Sequence, residues 1–142
     1  MQKKYKVAGF GEVLWDIYPE AKTLGGAPSN FAIHSKQLGA DSFLISCVGK
    51  DLLGKEAQRL LNDFGLDTSG IHVNKYFPTG RVEVKLDQMG NPSYKIDEQS
   101  AWDYIIFDEN MRNICQSLDS VCYGTLVQRN SNSKRALIKI LD

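Results

Sequence analysis

The chain has 142 residues, with 17 basic and 17 acidic side chains and a formal net charge of zero. This length predicts one domain that can bury a proper core. The balanced charge argues against nucleic acid or an anionic membrane as a partner, and no apolar run is long enough for a transmembrane helix or a signal peptide, so we expect a cytoplasmic protein.

The first part of the chain alternates between strand and helix patterns. Residues 5–11 have the pattern of a strand interrupted by glycines, and the chain after them is predicted to stay extended as far as Pro19. A helix is predicted from Pro28, which suits a first helical turn, to a cap at Gly39. On one face of this helix fall Phe31, Ser35 and Leu38.

The middle of the chain combines a buried strand, an amphipathic helix and a hairpin. Residues 43–48 form a nearly continuous apolar run, which is typical of a strand buried on both faces, and the following helix closes at Gly65. Residues 81–87 and 93–97 alternate apolar with charged or polar side chains around a QMGNP turn. We therefore predict a hairpin with one apolar face and one wet face.

The last part of the chain returns to the strand and helix patterns of the first. Asp108 is the candidate N-cap of a third helix, and residues 120–127 have the pattern of another buried strand. A final helix is predicted with its cap at Ser131 or Asn132.

Two kinds of sheet are therefore expected. The helix-flanked strands near residues 5–11, 43–48 and 120–127 predict a parallel α/β layer. The hairpin cannot lie within that layer, because one of its faces would bury charges. We expect a separate small sheet, formed by about residues 12–18 and 72–98, that projects from the body as a lid over a cleft.

The segment LGGAPSNFA, residues 24–32, places two glycines directly before a helix. It lacks the lysine of a phosphate-binding loop, and the earlier GFGEVL segment lacks the last glycine and the helix of a dinucleotide fingerprint. A helix start with free amides can bind an anion or the oxygens of a polyol. Asn30 offers a donor and an acceptor, and the Asp16 carboxylate can accept from two vicinal hydroxyls. A neutral polyhydroxylated ligand would suit this set, and a tight turn with a surface aspartate is an equally good interpretation.

The cysteines and histidines do not predict a metal site. Cys47, Cys115 and Cys122 form no CxxC pair and are interpreted as reduced thiols. His34 and His72 have no partner at ligand spacing, so we expect no bound metal in this chain.

An aromatic cluster surrounds the hairpin, formed by Tyr76, Phe77, Tyr94, Trp102 and Tyr104. Packing and stacking on a sugar face are equally open for these rings. Trp102 is kept as a candidate substrate contact.

The spacing of the glycine segment resembles the first signature of the ribokinase/fructokinase (PfkB) family of carbohydrate kinases. The matching positions are Gly25–Ala32, then Gly39, then Gly49, and the segments GEVLWDIYP, PTGRVEV and SAWDYI resemble the fructokinase-like branch. The resemblance covers nearly the whole chain. It implies a ribokinase-like fold, a three-layer α/β body with a β-sheet lid, of which residues 1–142 would be the N-terminal part.

The same resemblance implies roles for individual residues. Asp16 and Asn30 would bind sugar hydroxyls, and Gly25 and Gly26 would let backbone amides reach the sugar. Gln128 and Arg129 are expected at the end of a body strand where the family also contacts substrate. The implied reaction transfers the γ-phosphoryl group of ATP to a sugar hydroxymethyl group with Mg²⁺.

Members of the family are about twice as long as this chain. Their catalytic aspartate, in a Gly-Ala-Gly-Asp motif, and most of their ATP site lie in a C-terminal half that has no counterpart in these 142 residues. We therefore expect a chain that carries no catalytic base and is inactive alone.

Two alternatives to a fructokinase-like activity stay open. The substrate could be ribose, a nucleoside or a keto-deoxy sugar acid, and for an acid the cleft should contain cations such as Arg81 and Arg129. A non-catalytic sugar-binding or dimerising module is the other alternative, because the half-apolar lid could pair with a second copy to form a homodimer.

Overall fold

A computed structural model describes residues 3–142, and its regular elements alternate between strand and helix along the chain. In chain order they are β1 (Lys6–Phe10), β2 (Leu14–Ile17), β3 (Lys22–Gly25), α1 (Ala27–Gln37), β4 (Asp41–Gly49), α2 (Leu52–Asp63), β5 (Ile71–Asn74), β6 (Gly80–Leu86), β7 (Pro92–Ile96), α3 (Glu109–Cys115), β8 (Ser120–Tyr123) and α4 (Ser131–Leu141). Two 3-10 turns, Ala101–Tyr104 and Leu126–Gln128, precede α3 and α4.

The body of the protein is a four-stranded parallel sheet in the order β5-β4-β1-β8, covered by helices on both faces. Neighbouring residues of β4 show the two faces. Leu44 packs in a cluster with α1 and α2, and Ile45 packs in a second cluster with α3 and α4. The predicted parallel α/β layer is therefore confirmed, and so is the ribokinase-like three-layer architecture.

The second sheet has the order β3-β2-β6-β7 and corresponds to the small separate sheet predicted as a lid, so it is called the lid below. β6 and β7 are antiparallel, as the hairpin prediction requires, and β2 runs parallel to β6. β3 was not predicted, and it pairs antiparallel with β2. Residues 72–74, which the sequence assigned to the lid, belong to β5 and pair with β4 in the body, where Ile71 completes the core.

The region after β8 differs from its prediction. The strand stops at Tyr123 rather than continuing to residue 127, and the chain then turns through Leu126–Gln128. The N-cap of α4 is Asn130, whose side chain accepts a hydrogen bond from the backbone N–H of Asn132, rather than Ser131 or Asn132. The extended backbone of Asn130 is the conformation that an N-cap needs.

Helix α1 buries a different face from the one that the spacing suggested. Its buried side chains include Ser29, Ala32 and Ile33, which lie against β1 and β4, whereas Leu38 is 89% exposed. Small residues on the inner face let the helix approach the sheet closely. Across residues 3–142, every helix is too short or too polar to span a bilayer.

Candidate functional site

The centre of the candidate site is the carboxylate of Asp16, which faces Gly25 across two antiparallel strands. Leu14 of β2 is the register partner of Gly25, and Asp16 lies two residues further along the same face. A Cβ atom built on Gly25 would lie 2.5 Å from Asp16 Oδ2, so the carboxylate occupies the space that a side chain would need. Burial raises the pKa of the half-buried Asp16 carboxyl, whereas hydrogen bonds donated by a ligand would lower it and favour the ionised form.

The glycine turn joins β3 to the start of α1. Gly26 has φ of +104°, and a Cβ atom there would collide with the backbone carbonyl of Glu12. The Ser29 hydroxyl lies 2.7 Å from the Gly25 carbonyl oxygen and 2.9 Å from that of Gly26, and so fixes the turn from within the helix. Asn30 is exposed one turn into α1, with its side-chain amide open to solvent. Four predicted site residues therefore lie together at this end of the lid.

Arg129 is held by protein groups through its Nε and Nη2 atoms. Its Nε and Nη2 atoms donate to Asp103 Oδ1 and Oδ2 at 2.8 and 2.7 Å, and Nη2 also donates to the Asp97 carbonyl oxygen at 2.8 Å. Its guanidinium lies 4.1 Å from the centre of the Trp102 ring. Arg129 therefore ties the end of the lid at Asp97 to the body, next to Gln99, which has the uncommon φ of 52°.

The remaining two predicted residues lie beside Arg129. Trp102 is fully buried, and its indole N–H has no hydrogen-bond partner within the described part of the chain. A Cβ atom at Gly80 would lie 2.5 Å from that nitrogen, so the indole fills the base of the lid rather than presenting a face to solvent. Gln128 lies in the turn after β8, and its Nε2 donates to the Gly124 carbonyl oxygen at 3.3 Å.

The two groups of residues meet at Gly11, between β1 and β2. Gly11 has φ of +140°, and a Cβ atom there would lie 2.9 Å from Pro28 Cγ and 3.3 Å from Val127 Cβ. The start of α1 and the turn before α4 therefore both pack against Gly11. This is the carboxyl-terminal end of the body sheet, where open α/β sheets bind ligands.

Asp51 fixes the chain where it enters the lid at the start of β6, a role that sequence reasoning missed. Its carboxylate accepts from the Gly54 N–H at 2.7 Å as the N-cap of α2, and from the Thr79 N–H and hydroxyl at 2.8 and 2.7 Å. Burial opposes ionisation, but the hydrogen bonds from Thr79 and Gly54 outweigh it and lower the pKa of the Asp51 carboxyl. The start of β6 is thereby fixed to the body.

Glu12 is a second carboxyl group that the sequence did not single out. It is only 4% exposed and lies beneath the Gly26 turn. Burial raises its pKa, opposed by hydrogen bonds from its own N–H and that of Ala27 and by the charge of Arg129. In the sequence, Glu12 directly follows Gly11 within GFGEVL, and no local pattern marks it as a site residue.

The two arginines considered for an acidic substrate are both engaged. Arg81 pairs in register with Trp15, whereas Asp16 pairs with Val82, so Arg81 and Asp16 point to opposite faces of the lid. Arg81 Nε donates to Asp97 Oδ2 at 3.0 Å. Among residues 3–142, no three His, Cys, Asp or Glu side chains come together in a way that could hold a metal ion.

Comparisons with known proteins agree on one family. The profile of the pfkB family carbohydrate kinases matches residues 10–138. A sugar kinase of Pyrococcus horikoshii is 27% identical over 146 residues, covering 95% of this chain and 47% of the relative. A fructokinase of Vibrio alginolyticus is 30% identical over 111 residues, covering 75% of this chain and 36% of the relative.

Solved structures show the same fold and the same partial coverage. The Pyrococcus horikoshii sugar kinase in complex with ATP superposes with a TM-score of 0.87 at 27% identity, covering 95% of this chain and 48% of that one. The chain therefore spans about half the length of the relatives that it matches.

Proposed function

The chain belongs to the PfkB family of carbohydrate kinases, and on that premise we propose that it carries the sugar-binding and lid part of an ATP-dependent kinase for a neutral sugar, with fructose as the first candidate. The observation that supports this most strongly is the Asp16 carboxylate, held in the space left free by Gly25. The fructokinases among the relatives support the choice of sugar.

The proposed sugar contacts follow from the chemistry of four residues. The Asp16 carboxylate accepts from two neighbouring hydroxyl groups, an arrangement stronger than a neutral hydrogen bond. Gly25 and Gly26 let the backbone approach the sugar ring because neither carries a side chain. Asn30 donates to and accepts from a further hydroxyl group. Trp102, at the base of the lid, and Gln128 and Arg129, in the turn before α4, would support the site.

A neutral sugar is favoured over a sugar acid by the position of the arginines. A sugar acid needs a cation to pair with its carboxylate. Arg81 lies on the opposite face of the lid from Asp16, and Nε and Nη2 of Arg129 donate to Asp103 and to the Asp97 carbonyl oxygen, so the charge of Arg129 is already paired. A carboxylate next to Asp16 would also meet a like charge.

The proposed reaction is transfer of the ATP γ-phosphoryl group to a sugar hydroxymethyl group, with Mg²⁺. The described residues do not fit either cofactor, since they contain no cluster able to hold a metal ion and no phosphate-binding loop. We propose that ATP and Mg²⁺ are bound by the part of the kinase that the longer relatives possess beyond the matched region. The 142-residue chain alone should then show no sugar-dependent ATP turnover.

A ligand panel tests this proposal. Isothermal titration of the chain with D-fructose, D-ribose, a nucleoside and a keto-deoxy sugar acid should show binding of the neutral hexose above the others. A coupled ATPase assay with fructose should remain at background. Binding of the acid alone, or measurable turnover, would overturn the assignment.

Pairing of the lid with a second copy is favoured by one further observation. On the same sheet face as Asp16, Leu86 and Tyr94 are 60% and 64% exposed. We propose that this apolar end of the lid forms a homodimer. Light scattering of the chain should give a dimer mass that Tyr94→Lys converts to a monomer, and a monomeric wild type would exclude it.

A further inference from the structure

Helix α1 lacks a cap of its own. Its N-cap position is Gly26, which has no side chain to offer, and its first turn contains no acidic residue. The first amides of an α-helix have no partner within the helix, so they need acceptors from elsewhere. This helix start is also the segment that the proposed sugar site uses.

Glu12 supplies an acceptor from outside the helix. Its carboxyl group lies close enough to the backbone N–H of Ala27, the first residue of α1, for that N–H to lower the pKa of the Glu12 carboxyl. Its backbone carbonyl lies against Gly26, so closely that a side chain could not be accommodated there. Both the backbone and the carboxyl group of Glu12 therefore lie close to the glycine turn.

The second oxygen of the same carboxyl group is unusual. Glu12 Oε2 is buried and has no hydrogen-bond partner within residues 3–142. The positive charge of Arg129 acts on Glu12, but the hydrogen bonds of Arg129 described above go to Asp103 and to the Asp97 carbonyl. Buried polar atoms without partners are rare, and burying one costs free energy. A carboxyl group at this position therefore calls for a role other than packing.

We propose that Glu12 is a positioning residue for the sugar: it caps α1 from the loop after β1 and thereby holds the Gly25–Gly26 turn in the conformation that receives the ligand. The proposal rests on the proposed function for the identity of the ligand. The capping contact itself does not depend on it. Glutamine at this position keeps an oxygen that accepts from Ala27, whereas alanine removes it.

Amide hydrogen exchange on the 142-residue chain tests the capping contact. In Glu12→Ala the Ala27 amide should exchange about tenfold faster than in the wild type, within the range expected for a lost N-cap. Glu12→Gln should stay near the wild type. Asp108→Ala is the matched control, because Asp108 caps α3 by accepting from Met111 N–H at 2.8 Å. It should accelerate Met111 and leave Ala27 unchanged, and equal Ala27 rates in Glu12→Ala and the wild type would overturn the proposal.

Sugar titration of the same variants tests the positioning role. Fructose affinity should fall about tenfold in Glu12→Ala, within the range of a lost N-cap, and stay within about twofold in Glu12→Gln and Asp108→Ala. A Glu12→Ala variant that loses amide protection but binds fructose normally would overturn the positioning role. A wild type that binds no sugar would instead remove the proposed function, while the exchange result would still decide the cap.

If Glu12→Ala does not fold, the wild type supplies the test. The Ala27 amide proton shift should follow the titration of the Glu12 carboxyl, and this dependence should vanish in Glu12→Gln. Arg129 is the charged group that acts on Glu12, and Asp103 is paired with Arg129. An Ala27 shift that titrates unchanged in Glu12→Gln would assign the effect to another group and overturn the proposal.

Discussion

Asp16 and Gly25 are diagonal neighbours on two antiparallel strands, with Asp16 Oδ2 in the space that a Cβ atom at residue 25 would take. The glycine is therefore required by a specific carboxylate, in addition to any need for backbone freedom. The pair also links the lid to α1, because Gly25 is the last residue of β3 and the helix begins at Ala27. An aspartate on a lid strand is thereby held at the start of a body helix.

Gly25→Ala tests this relationship. The added methyl group would lie 2.5 Å from Asp16 Oδ2, so the carboxylate or the strand must move. We expect a loss of about 1–3 kcal/mol in the free energy of unfolding, the range for overpacking, together with weaker fructose binding. Urea unfolding and calorimetric titration measure the two effects. Gly124→Ala is the control, since its Cβ would find its nearest atom at 4.0 Å, and equal effects of both changes would contradict the account.

Arg129→Gln tests whether the Arg129–Asp103 pair holds the lid to the body. The change leaves the Asp103 carboxylate, which is 1% exposed, without its cation. Because the Arg129 side chain is partly exposed, we expect a loss near the lower end of the range for breaking a buried pair, about 3 kcal/mol. Denaturant unfolding should show it, and adding Asp103→Asn should restore part of the loss.

The matched control for that change is Arg59→Gln. Arg59 pairs with Asp63 at 3.5 Å on the exposed side of α2, and such pairs contribute about 0.5 kcal/mol or less. If Arg129→Gln is no more destabilising than Arg59→Gln, the Arg129–Asp103 pair does not anchor the lid.

Asp51→Asn tests the second anchor through its pH dependence. The folded-state pKa of Asp51 lies below its ordinary value of 3.8, so ionised Asp51 stabilises the fold above that pH. This contribution is lost as the pH falls through the folded-state pKa. The difference in unfolding free energy between wild type and Asp51→Asn should therefore be largest near neutral pH and shrink in acid. A difference that grows on acidification would contradict the assigned hydrogen bonds.

Glu12→Gln should show the opposite pH dependence. Burial raises the folded-state pKa of Glu12 above its ordinary value of 4.5, so the folded protein holds this proton more tightly than the unfolded chain. The resulting stability is complete below pH 4.5 and is lost as the pH rises through the folded-state pKa. The stability of Glu12→Gln relative to wild type should therefore increase with pH in a series of urea titrations. A relative stability that decreases with pH would show that Glu12 is stabilised as a carboxylate.

The sequence predicted the two sheets because their patterns differ in kind. A strand buried on both faces is apolar throughout, as in β4, whereas the hairpin alternates with period two around a turn. β3 escaped prediction because it has only four residues, two of them exposed and one a glycine. Its partner β2, rather than its own composition, makes it a strand.

The site was predicted only where neighbouring residues carried the signal. Gly25, Gly26 and Asn30 lie within six residues of one another, so their spacing was visible. The Arg129–Asp103 pair joins residues 26 positions apart, and Glu12 comes near Ala27 only because β2 and β3 lead the chain back. Contacts of this kind depend on the fold, and no local pattern encodes them.

Fructose binding by Asp16→Ala is the most direct test of the sugar site. The matched control is Glu83→Ala, which removes an exposed carboxylate from the opposite face of the same lid, where Glu83 pairs with Ile17. Calorimetric titration should show wild type and Glu83→Ala binding alike, with Asp16→Ala weaker by about 1.5–3 kcal/mol, the range for a hydrogen bond to a charged group. Unchanged affinity in Asp16→Ala would contradict the assignment of this carboxylate to the sugar.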